Sequence, residues 1–391
     1  RTLREAQDMA EHALDMAQGR GGDQAAEMTL DGFTFYGGVS HGVEKRSKVR
    51  SRLVADQLVK LIKEADHVVI MGHRMSDLDA IGAAEGVLRI CKICDVPAVI
   101  AVRRDATLAA SLIDALCKAG QKDDFIDPKD ALPIISKRTL CIVVDTYQAG
   151  LVESKDILEK CGKVAVIDHH RKGVGYIENP ALVCHEPYSS SASELVTELL
   201  QYVGERDDKP NRVEAEGLLA GILLDTQDFT LHTGVRTFEA AAALRRYGAE
   251  TERVRRLFDV TMVEYNAKAD LVEKAQMYKN CAISIGGEVA PEARVAIAQA
   301  ANDLLRIQGV DASFVAVQVG NGVNVSARSM GAVNVQVIME SLGGGGHQTM
   351  AAAQLKHITP QAARSRIQDA IDQYYLSQKK TTPEARPAKG E

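Results

Sequence analysis

The sequence predicts an α/β protein, in which a larger domain built on a mostly parallel sheet is followed by a smaller α/β domain. From His67 to about Thr230, short apolar runs alternate with helical stretches, which is typical of right-handed βαβ units. From Cys281 the order changes to three strand-like runs, a helix, four consecutive glycines and a last helix. A chain of 391 residues is long enough for two or three domains with separate cores.

The elements of the larger domain follow from its hydrophobic periodicity. Strands are predicted at Val68–Met71, Ala98–Val102, Leu140–Val144 and Val164–Ile167. Helices are predicted at Ala80–Cys94, Leu108–Ala119, Leu151–Cys161, Ser189–Val203 and Arg212–Leu224. The apolar pair just before Asp225 fits either a helix or a strand, so the placement of that residue stays open.

The remaining elements define the domain boundaries. Before the larger domain, the sequence predicts a helix (1–18), a hairpin (25–36) and a basic helix (45–63). In the smaller domain it predicts strands at Cys281–Ile285, Phe314–Val319 and Val323–Ala327, and helices at Val333–Glu340 and Pro360–Leu376. The chain thus divides into the end of an upstream domain (1–45), the larger domain (46–235), a helical connector (236–279), the smaller domain (280–376) and a disordered tail (377–391).

Composition excludes several classes of protein. The net charge is −6, so the chain has no bulk attraction for duplex nucleic acid. No apolar run approaches the roughly 20 residues of a membrane-spanning helix, and no signal peptide is visible. The seven cysteines are an odd number scattered through regular elements, which suits a reducing cytoplasm. Because residue 1 is Arg, we expect a soluble fragment of a longer protein.

One stretch, Gly72–Ala80, places His73, Asp77 and Asp79 directly after a predicted strand. Ligands of open α/β sheets bind at the carboxyl ends of the strands, so these side chains are candidates for a functional site. The alternative is purely structural: Asp77 would cap the following helix, and His73 would be an ordinary loop residue.

Three later positions repeat this arrangement. Asp145 follows a predicted strand, Asp168-His169-His170 follow the next, and Asp225 follows another apolar run. Each alone also fits a capping or loop residue. Together they form a carboxylate and imidazole set without thiolate, which suits Mn²⁺, Mg²⁺ or Fe²⁺. The set exceeds what one ion needs, and two cations about 3.5 to 4 Å apart are the usual apparatus for hydrolysing a phosphate ester.

The order G-H-x-x-x-D-x-D-A, V-V-D-T, D-H-H and L-L-D-T resembles the four motifs of the DHH phosphoesterase superfamily. The stretch Gly343–His347 resembles the glycine-rich motif of the DHH-associated domain. Val325–Ser329 and Asn334–Met339 are similar to membrane-bound cyclic-di-AMP phosphodiesterases of the GdpP type, in which a degenerate GGDEF-like domain precedes this pair. Residues 1–45 resemble the end of that domain. One departure is Arg74-Met75-Ser76, where many members of the superfamily carry Pro before the Asp.

This resemblance implies a dinuclear site, with Mn²⁺ as the expected ion. It assigns His73 and Asp77 to one cation, and Asp79, His169 and Asp225 to the other. Asp145 bridges the two. His170 is left as the catalytic group that faces the phosphate or supports the ligands.

The second domain is expected to bind the substrate. Consecutive small residues let backbone N–H groups approach a phosphate, so Gly343, Gly344, Gly345 and Gly346, with His347, form a candidate anion site. The alternative is a flexible hinge, because glycines are also linker material. Arg328 is a candidate phosphate clamp, or else a solvated strand residue.

The function that the resemblance implies is hydrolysis of cyclic-di-AMP to linear 5′-pApA, with the smaller domain closing over the nucleotide. It further implies a homodimer, anchored in the cell membrane through an upstream region, with this part at the cytoplasmic face. The alternatives are a related enzyme acting on short oligonucleotides or adenosine bisphosphate, and a sensor that binds cyclic dinucleotides without hydrolysis. A long single-strand exonuclease is disfavoured, because the sequence has no additional oligonucleotide-binding barrel.

Overall fold

A computed structural model describes residues 2–19, 24–29, 32–37, 48–170, 175–205, 208–288, 295–346 and 348–381. The chain forms two compact units, Arg1–Phe258 and Asp259–Glu391. The division falls inside the stretch predicted as a connector (236–279). Within the described ranges, none of the helices combines the length and the apolar character that a membrane span requires.

The first unit holds eight described strands and ten described α-helices. Its strands are β1 (Gln24–Thr29), β2 (Gly32–Gly37), β3 (His67–Met71), β4 (Ala98–Ala101), β5 (Phe125–Ile126), β6 (Thr139–Val144), β7 (Lys163–Asp168) and β8 (Leu182–His185). Its helices are α1 (Leu3–Gly19), α2 (Lys48–Glu64), α3 (Leu78–Ile93), α4 (Ala110–Leu116), α5 (Pro128–Ala131), α6 (Lys155–Lys160), α7 (Ala192–Leu200), α8 (Arg212–Thr226), α9 (Val235–Arg246) and α10 (Thr251–Arg256).

Strands β3 to β8 form one fully parallel sheet in the order β5-β4-β3-β6-β7-β8. From β3 the chain adds β4 and β5 on one side of the sheet. It then returns to the centre, where β6 pairs with β3, and adds β7 and β8 on the other side. The strand order therefore reverses between β3 and β6, which is where open α/β sheets bind ligands. The predicted parallel sheet is confirmed, and so is the N-terminal hairpin, which is β1 paired with β2. The sequence analysis did not predict the two short edge strands β5 and β8.

The central strands are buried on both faces, which explains why their sequences are continuous apolar runs. Val68 and Ile70 pack with helices α2, α3, α7 and α8 on one face of the sheet. Their neighbours Val69 and Met71 pack on the other face with Tyr147, among other residues. A register error in β3 would exchange these two sets, so its alignment is strongly specified.

The second unit is a mixed sheet with helices on both faces. Its strands are β9 (Gln276–Tyr278), β10 (Cys281–Glu288), β11 (Ala312–Val319), β12 (Gly322–Ser329), β13 (Gly345–Gly346) and β14 (Met350–Lys356), and its helices are α11 (Met262–Glu273), α12 (Val295–Leu304), α13 (Val335–Ser341) and α14 (Pro360–Thr381). The strand order is β13-β14-β12-β11-β10-β9, and only β10 and β11 are parallel.

Two boundaries differ from the sequence-based expectation. The short strand β9 lies within the predicted helical connector, where its three residues are too few to leave a periodic signal. Helix α14 continues to Thr381, so the first part of the stretch predicted as a disordered tail is helical. Residues 382–391 lie outside the described ranges.

A buried acidic pair joins helices α3 and α8. Glu85 and Glu214 are both fully buried, and the Nε2 of Gln121 donates a hydrogen bond to each of them. Arg89 Nε donates to Glu214 at 2.8 Å, so Glu214 has a cationic partner. Burial, together with the charge of Glu214, raises the pKa of Glu85 to about 8. Glu85 is therefore protonated in the folded protein at neutral pH.

This proton makes stability depend on pH. Because the pKa of Glu85 is higher in the folded protein than in the unfolded chain, its stabilising contribution is complete below about pH 4.5 and is lost as the pH rises through 8. We predict that the stability of Glu85→Gln relative to wild type increases by about 4 kcal/mol as the pH rises from 5 to 9. Urea unfolding at several pH values measures this difference. Glu159→Gln, at an exposed position, is the control, and a pH-independent difference for Glu85→Gln would contradict the assignment.

Candidate metal centre

The candidate ligands meet at the carboxyl edge of the parallel sheet. His73 and Asp77 follow β3, and Asp79 lies in the first turn of α3. Asp145 directly follows β6, and His169 directly follows β7. Asp225 lies in the last turn of α8, so the apolar run before it is helical. Their ligand atoms form groups in which all atoms lie within 4.8 Å of one another.

Asp145 belongs to every one of these groups. One group joins it to His73 and Asp77, and a second joins it to Asp79, His169 and Asp225. Its Oδ2 lies 3.4 Å from His73 Nε2, and its Oδ1 lies 3.3 Å from His169 Nε2. The two oxygens of one buried carboxylate thus face two different sets of ligands.

The backbone places Asp145 in an uncommon conformation. Its φ is 58°, in the left-handed region that Asp tolerates better than most residues. Its N–H still pairs with Ile167 O at 2.9 Å, which ties it to the adjacent strand. The left-handed turn therefore redirects the chain without loss of the sheet contact. Such local strain is found at functional sites, where the surrounding structure enforces it.

Asp77 has the capping role considered as the structural alternative, and it also lies in the cluster. Its Oδ1 accepts hydrogen bonds from the N–H of Asp79 at 3.0 Å and of Ala80 at 3.1 Å. The same oxygen lies 3.8 Å from His73 Nε2. The loop that carries His73 is held by Arg74 N–H, which donates to Leu151 O at 2.8 Å. Capping and proximity to His73 are therefore compatible.

The N-terminus of α7 holds Asp79, a feature that the sequence analysis missed. Ala192 N–H donates to Asp79 Oδ2 at 2.7 Å, and Ser193 N–H donates to Oδ1 at 2.8 Å. Both donors belong to the first turn of a helix, whose free N–H groups favour a negative charge. Ser191 caps this helix through its hydroxyl. The serine-rich run before an apolar helix is an N-cap signature, so the start of α7 can be predicted from the sequence. The contact between that helix start and Asp79 cannot.

His170 is oriented by Asp168. Asp168 Oδ1 lies 2.8 Å from His170 Nδ1 and accepts a hydrogen bond from the His170 N–H at 3.1 Å. His170 Nδ1 also lies 3.5 Å from Asp145 Oδ1. Burial lowers the pKa of His170, but the charges of Asp168 and Asp145 outweigh this and raise it overall. The ring is thus fixed beside the cluster and retains a proton more readily than an exposed histidine.

The electrostatics of the cluster call for added positive charge. Burial and the charges of Asp145 and Asp225 raise the pKa of Asp79 far above its usual value. For His73, burial lowers the pKa, but Asp145 and Asp77 outweigh it and raise the pKa to about 11. Bound protons on these groups therefore offset the negative charge of the carboxylates. Divalent cations would take the same place.

Two buried atoms support a metal-binding role for this cluster. Asp145 Oδ1 and His169 Nε2 are buried and lie 3.3 Å apart, but neither has a hydrogen bond of suitable geometry. Leaving a buried polar atom unpaired costs about 1 to 3 kcal/mol, so native proteins rarely do so without a reason. Both atoms are of the type that binds divalent cations. The residues present therefore fit a pair of divalent cations.

The predicted residues of the second unit are considered separately. Arg328 lies on β12, where Nη1 donates to Ser326 Oγ at 3.1 Å and to Ala327 O at 2.9 Å. Its Nε is buried without a hydrogen bond, and burial lowers its pKa to about 10. Arg328 is therefore a desolvated cation rather than the solvated strand residue considered as an alternative.

The second half of the glycine run is part of the sheet. Gly345 and Gly346 form β13 and pair with Ala352 and Ala351 of β14, so these residues are not a free hinge. A Cβ on Gly344 would lie 2.7 Å from the Cα of Ala353, a distance that excludes a side chain there. His347 lies outside the described residues.

Close helix packing positions Asp79, and this can be tested. A Cβ on Gly221 of α8 would lie 2.6 Å from Asp79 Oδ1 and would also collide with Ser193 Oγ. We predict that Gly221→Ala displaces Asp79, lowers the free energy of unfolding by about 1 to 3 kcal/mol and weakens Mn²⁺ binding by at least about tenfold. Urea unfolding and Mn²⁺ titration measure the two effects. Gly287→Ala, which meets nothing within 4 Å, is the control. Unchanged Mn²⁺ affinity in Gly221→Ala would contradict this account.

Comparison with known proteins gives matches over nearly all of this chain. The chain is 45% identical over 380 residues to cyclic-di-AMP phosphodiesterase GdpP of Geobacillus thermodenitrificans, covering 96% of this chain. It is 43% identical over 384 residues to the GdpP of Bacillus subtilis. The chain spans only 58% of the length of each of these relatives. It is also 27% identical over 341 residues to the bifunctional oligoribonuclease and PAP phosphatase NrnA of Thermus thermophilus, covering 84% of this chain and 95% of that protein.

Structural and family comparisons agree with this fold. An exopolyphosphatase-related protein of Bacteroides fragilis has a TM-score of 0.72 at 20% identity, covering 84% of this chain and 98% of that chain. Residues 67–222 match the DHH family, N-terminal domain, and residues 290–376 match the DHHA1 domain. The chain therefore contains a domain of the DHH family (67–222) followed by a DHHA1 domain (290–376).

Proposed function

We propose that this chain is a metal-dependent phosphodiesterase that hydrolyses cyclic-di-AMP to linear 5′-pApA. The observation that carries the proposal is the shared Asp145, whose two oxygens face two ligand groups. Relatives named cyclic-di-AMP phosphodiesterase match 94 to 96% of this chain at 40 to 45% identity. Those relatives are longer, so the substrate is part of the proposal.

We assign the ligands by group. His73 and Asp77 would hold one cation, Asp79, His169 and Asp225 would hold the other, and Asp145, which belongs to both groups, would be shared between them. The donor set is oxygen and imidazole nitrogen without sulfur, which supports Mn²⁺ as the ion. Bound cations supply Lewis-acid charge that neutralises phosphoryl oxygens and activates water.

The remaining residues of the cluster orient these ligands or face the substrate. Ala192 and Ser193 fix the Asp79 carboxylate through their N–H groups, so it is pre-aligned before a cation arrives. Asp168 fixes the His170 ring through Nδ1. The ring lies beside Asp145, with Nδ1 3.5 Å from Asp145 Oδ1, so we assign His170 the role of facing the phosphate.

We assign the substrate contacts to the second unit. Arg328 carries a buried, unpaired Nε, which supports binding of a phosphoryl group. The N–H groups of Gly343 and Gly344 donate to Glu340 O and Met339 O, so we assign the anion contact to Gly345 and Gly346 and give His347 a role in the same contact. We extend the proposal to a homodimer held at the cytoplasmic face of the cell membrane by a region beyond this chain.

Two other functions compete with this proposal. The match to NrnA, whose name describes an oligoribonuclease and PAP phosphatase, favours a linear substrate as the second candidate. A non-hydrolytic sensor is the third. A sensor has no use for a set of ligands that shares one carboxylate between two groups, so we favour hydrolysis over sensing.

Product analysis separates these candidates. A cyclic dinucleotide has no free end, whereas pApA has a terminal 5′-phosphate and a flexible backbone. Contacts that position a bond in the ring will not position the bond of the linear form equally well, and positioning controls much of the rate. We predict that, with Mn²⁺, cyclic-di-AMP gives pApA as an accumulating product, and that pApA is cleaved to AMP much more slowly.

A chromatographic time course with each substrate measures this order. Asp145→Asn, purified in the same way, controls for contaminating phosphodiesterases and should be inactive. Faster consumption of pApA than of cyclic-di-AMP would support the linear-substrate enzyme. Metal-independent binding without turnover would support the sensor.

A further inference from the structure

On the face of β12 that is turned away from α13 and α14, three side chains are polar. The odd-numbered residues of β12, such as Val323 and Val325, pack in the core with α13 and α14. The even-numbered residues Asn324, Ser326 and Arg328 lie on the opposite face, because side chains alternate along a strand. The neighbouring strand β14 alternates in the same way, and its even-numbered residues are exposed.

Two buried atoms on this face have no partner. Asn324 Oδ1 and Arg328 Nε are both buried and make no hydrogen bond. They lie on one strand and one face, four residues apart, which corresponds to about 13 Å along the strand. A single buried polar atom without a hydrogen bond does not by itself indicate a ligand. An unpaired acceptor and an unpaired cationic donor on the same face indicate a ligand with groups complementary to both.

The acceptor has a second amide beside it. Asn324 is directly paired with Gln354 across the antiparallel β12–β14 ladder. Directly opposed side chains on one face lie about 4.5 to 5.5 Å apart at Cβ, so the two amides are neighbours. Gln354 is exposed, whereas Asn324 is partly buried. A planar heterocycle with a donor and an acceptor on one edge matches this pair.

We propose that Asn324, supported by Gln354, recognises the adenine base of the nucleotide whose phosphate Arg328 binds. This inference rests on the proposed function and adds the residue that selects the base. An amide pairs with adenine by accepting from its exocyclic amino group and donating to its N7. Guanine presents O6 at the equivalent position, which is an acceptor and leaves Asn324 Oδ1 unpaired. Asn324 therefore favours adenine over guanine.

Steady-state kinetics with cyclic-di-AMP and cyclic-di-GMP test this assignment. For Asn324→Ala we predict that the KM for cyclic-di-AMP rises about tenfold, while kcat changes little and the preference over cyclic-di-GMP falls by about the same factor. Gln354→Ala, at an exposed position that the fold tolerates, should shift the preference in the same direction by a smaller factor. Gln336→Ala, on the surface of α13, is the matched control and should behave as wild type.

These measurements distinguish failure of the base-recognition role from failure of the proposed function. If the wild-type chain hydrolyses neither cyclic dinucleotide, the proposed function fails. If wild type hydrolyses cyclic-di-AMP and folded Asn324→Ala and Gln354→Ala keep its KM and base preference, the base-recognition role is overturned. A loss of kcat or of Mn²⁺ binding in Asn324→Ala, with the base preference unchanged, would also overturn it, because that pattern indicates a structural role.

Discussion

The buried carboxylate of Asp145 is the point on which the arrangement of the first unit depends. It lies at the switch point of the sheet, with imidazoles on both sides and three further carboxylates nearby. Burial alone would raise the pKa of Asp145, but the surrounding histidines outweigh it and lower the pKa. So many carboxylates can share one buried edge only if positive charge is shared among them. That requirement explains why histidine and aspartate recur at the ends of four apolar runs.

The surrounding packing keeps these ligands in place. The helices α3 and α8 approach so closely that a Cβ on Gly221 would strike Asp79, and a Cβ on Gly82 would lie 2.9 Å from the carbonyl carbon of Gly217. This approach brings Asp79, at the start of one helix, beside Asp225, at the end of the other. The N-terminus of α7 then binds Asp79 directly. The glycines of α3 and α8 and the N-terminus of α7 thus hold the candidate ligands in position.

Much of this could be predicted because the carboxyl ends of parallel strands meet at one edge. The four strands predicted for the larger domain and the N-terminal hairpin are confirmed. The candidate ligands do come together, although their metal roles stay predictions. The helical placement of Asp225 could not be chosen from a short apolar run. The contact between Asp79 and α7 joins residues more than a hundred positions apart. The Asn324–Gln354 pair likewise depends on strand register, which periodicity does not give.

The central claim is that Asp145 bridges two cations, and electron paramagnetic resonance of the Mn²⁺-loaded chain tests it most directly. Two Mn²⁺ ions that share a carboxylate are magnetically coupled, so two equivalents should replace the isolated-ion signal with a coupled spectrum. Asp145→Asn should show only uncoupled Mn²⁺, while far-ultraviolet circular dichroism confirms an unchanged fold. A wild-type spectrum of isolated Mn²⁺ at saturation, or coupling that persists in Asp145→Asn, would contradict the account.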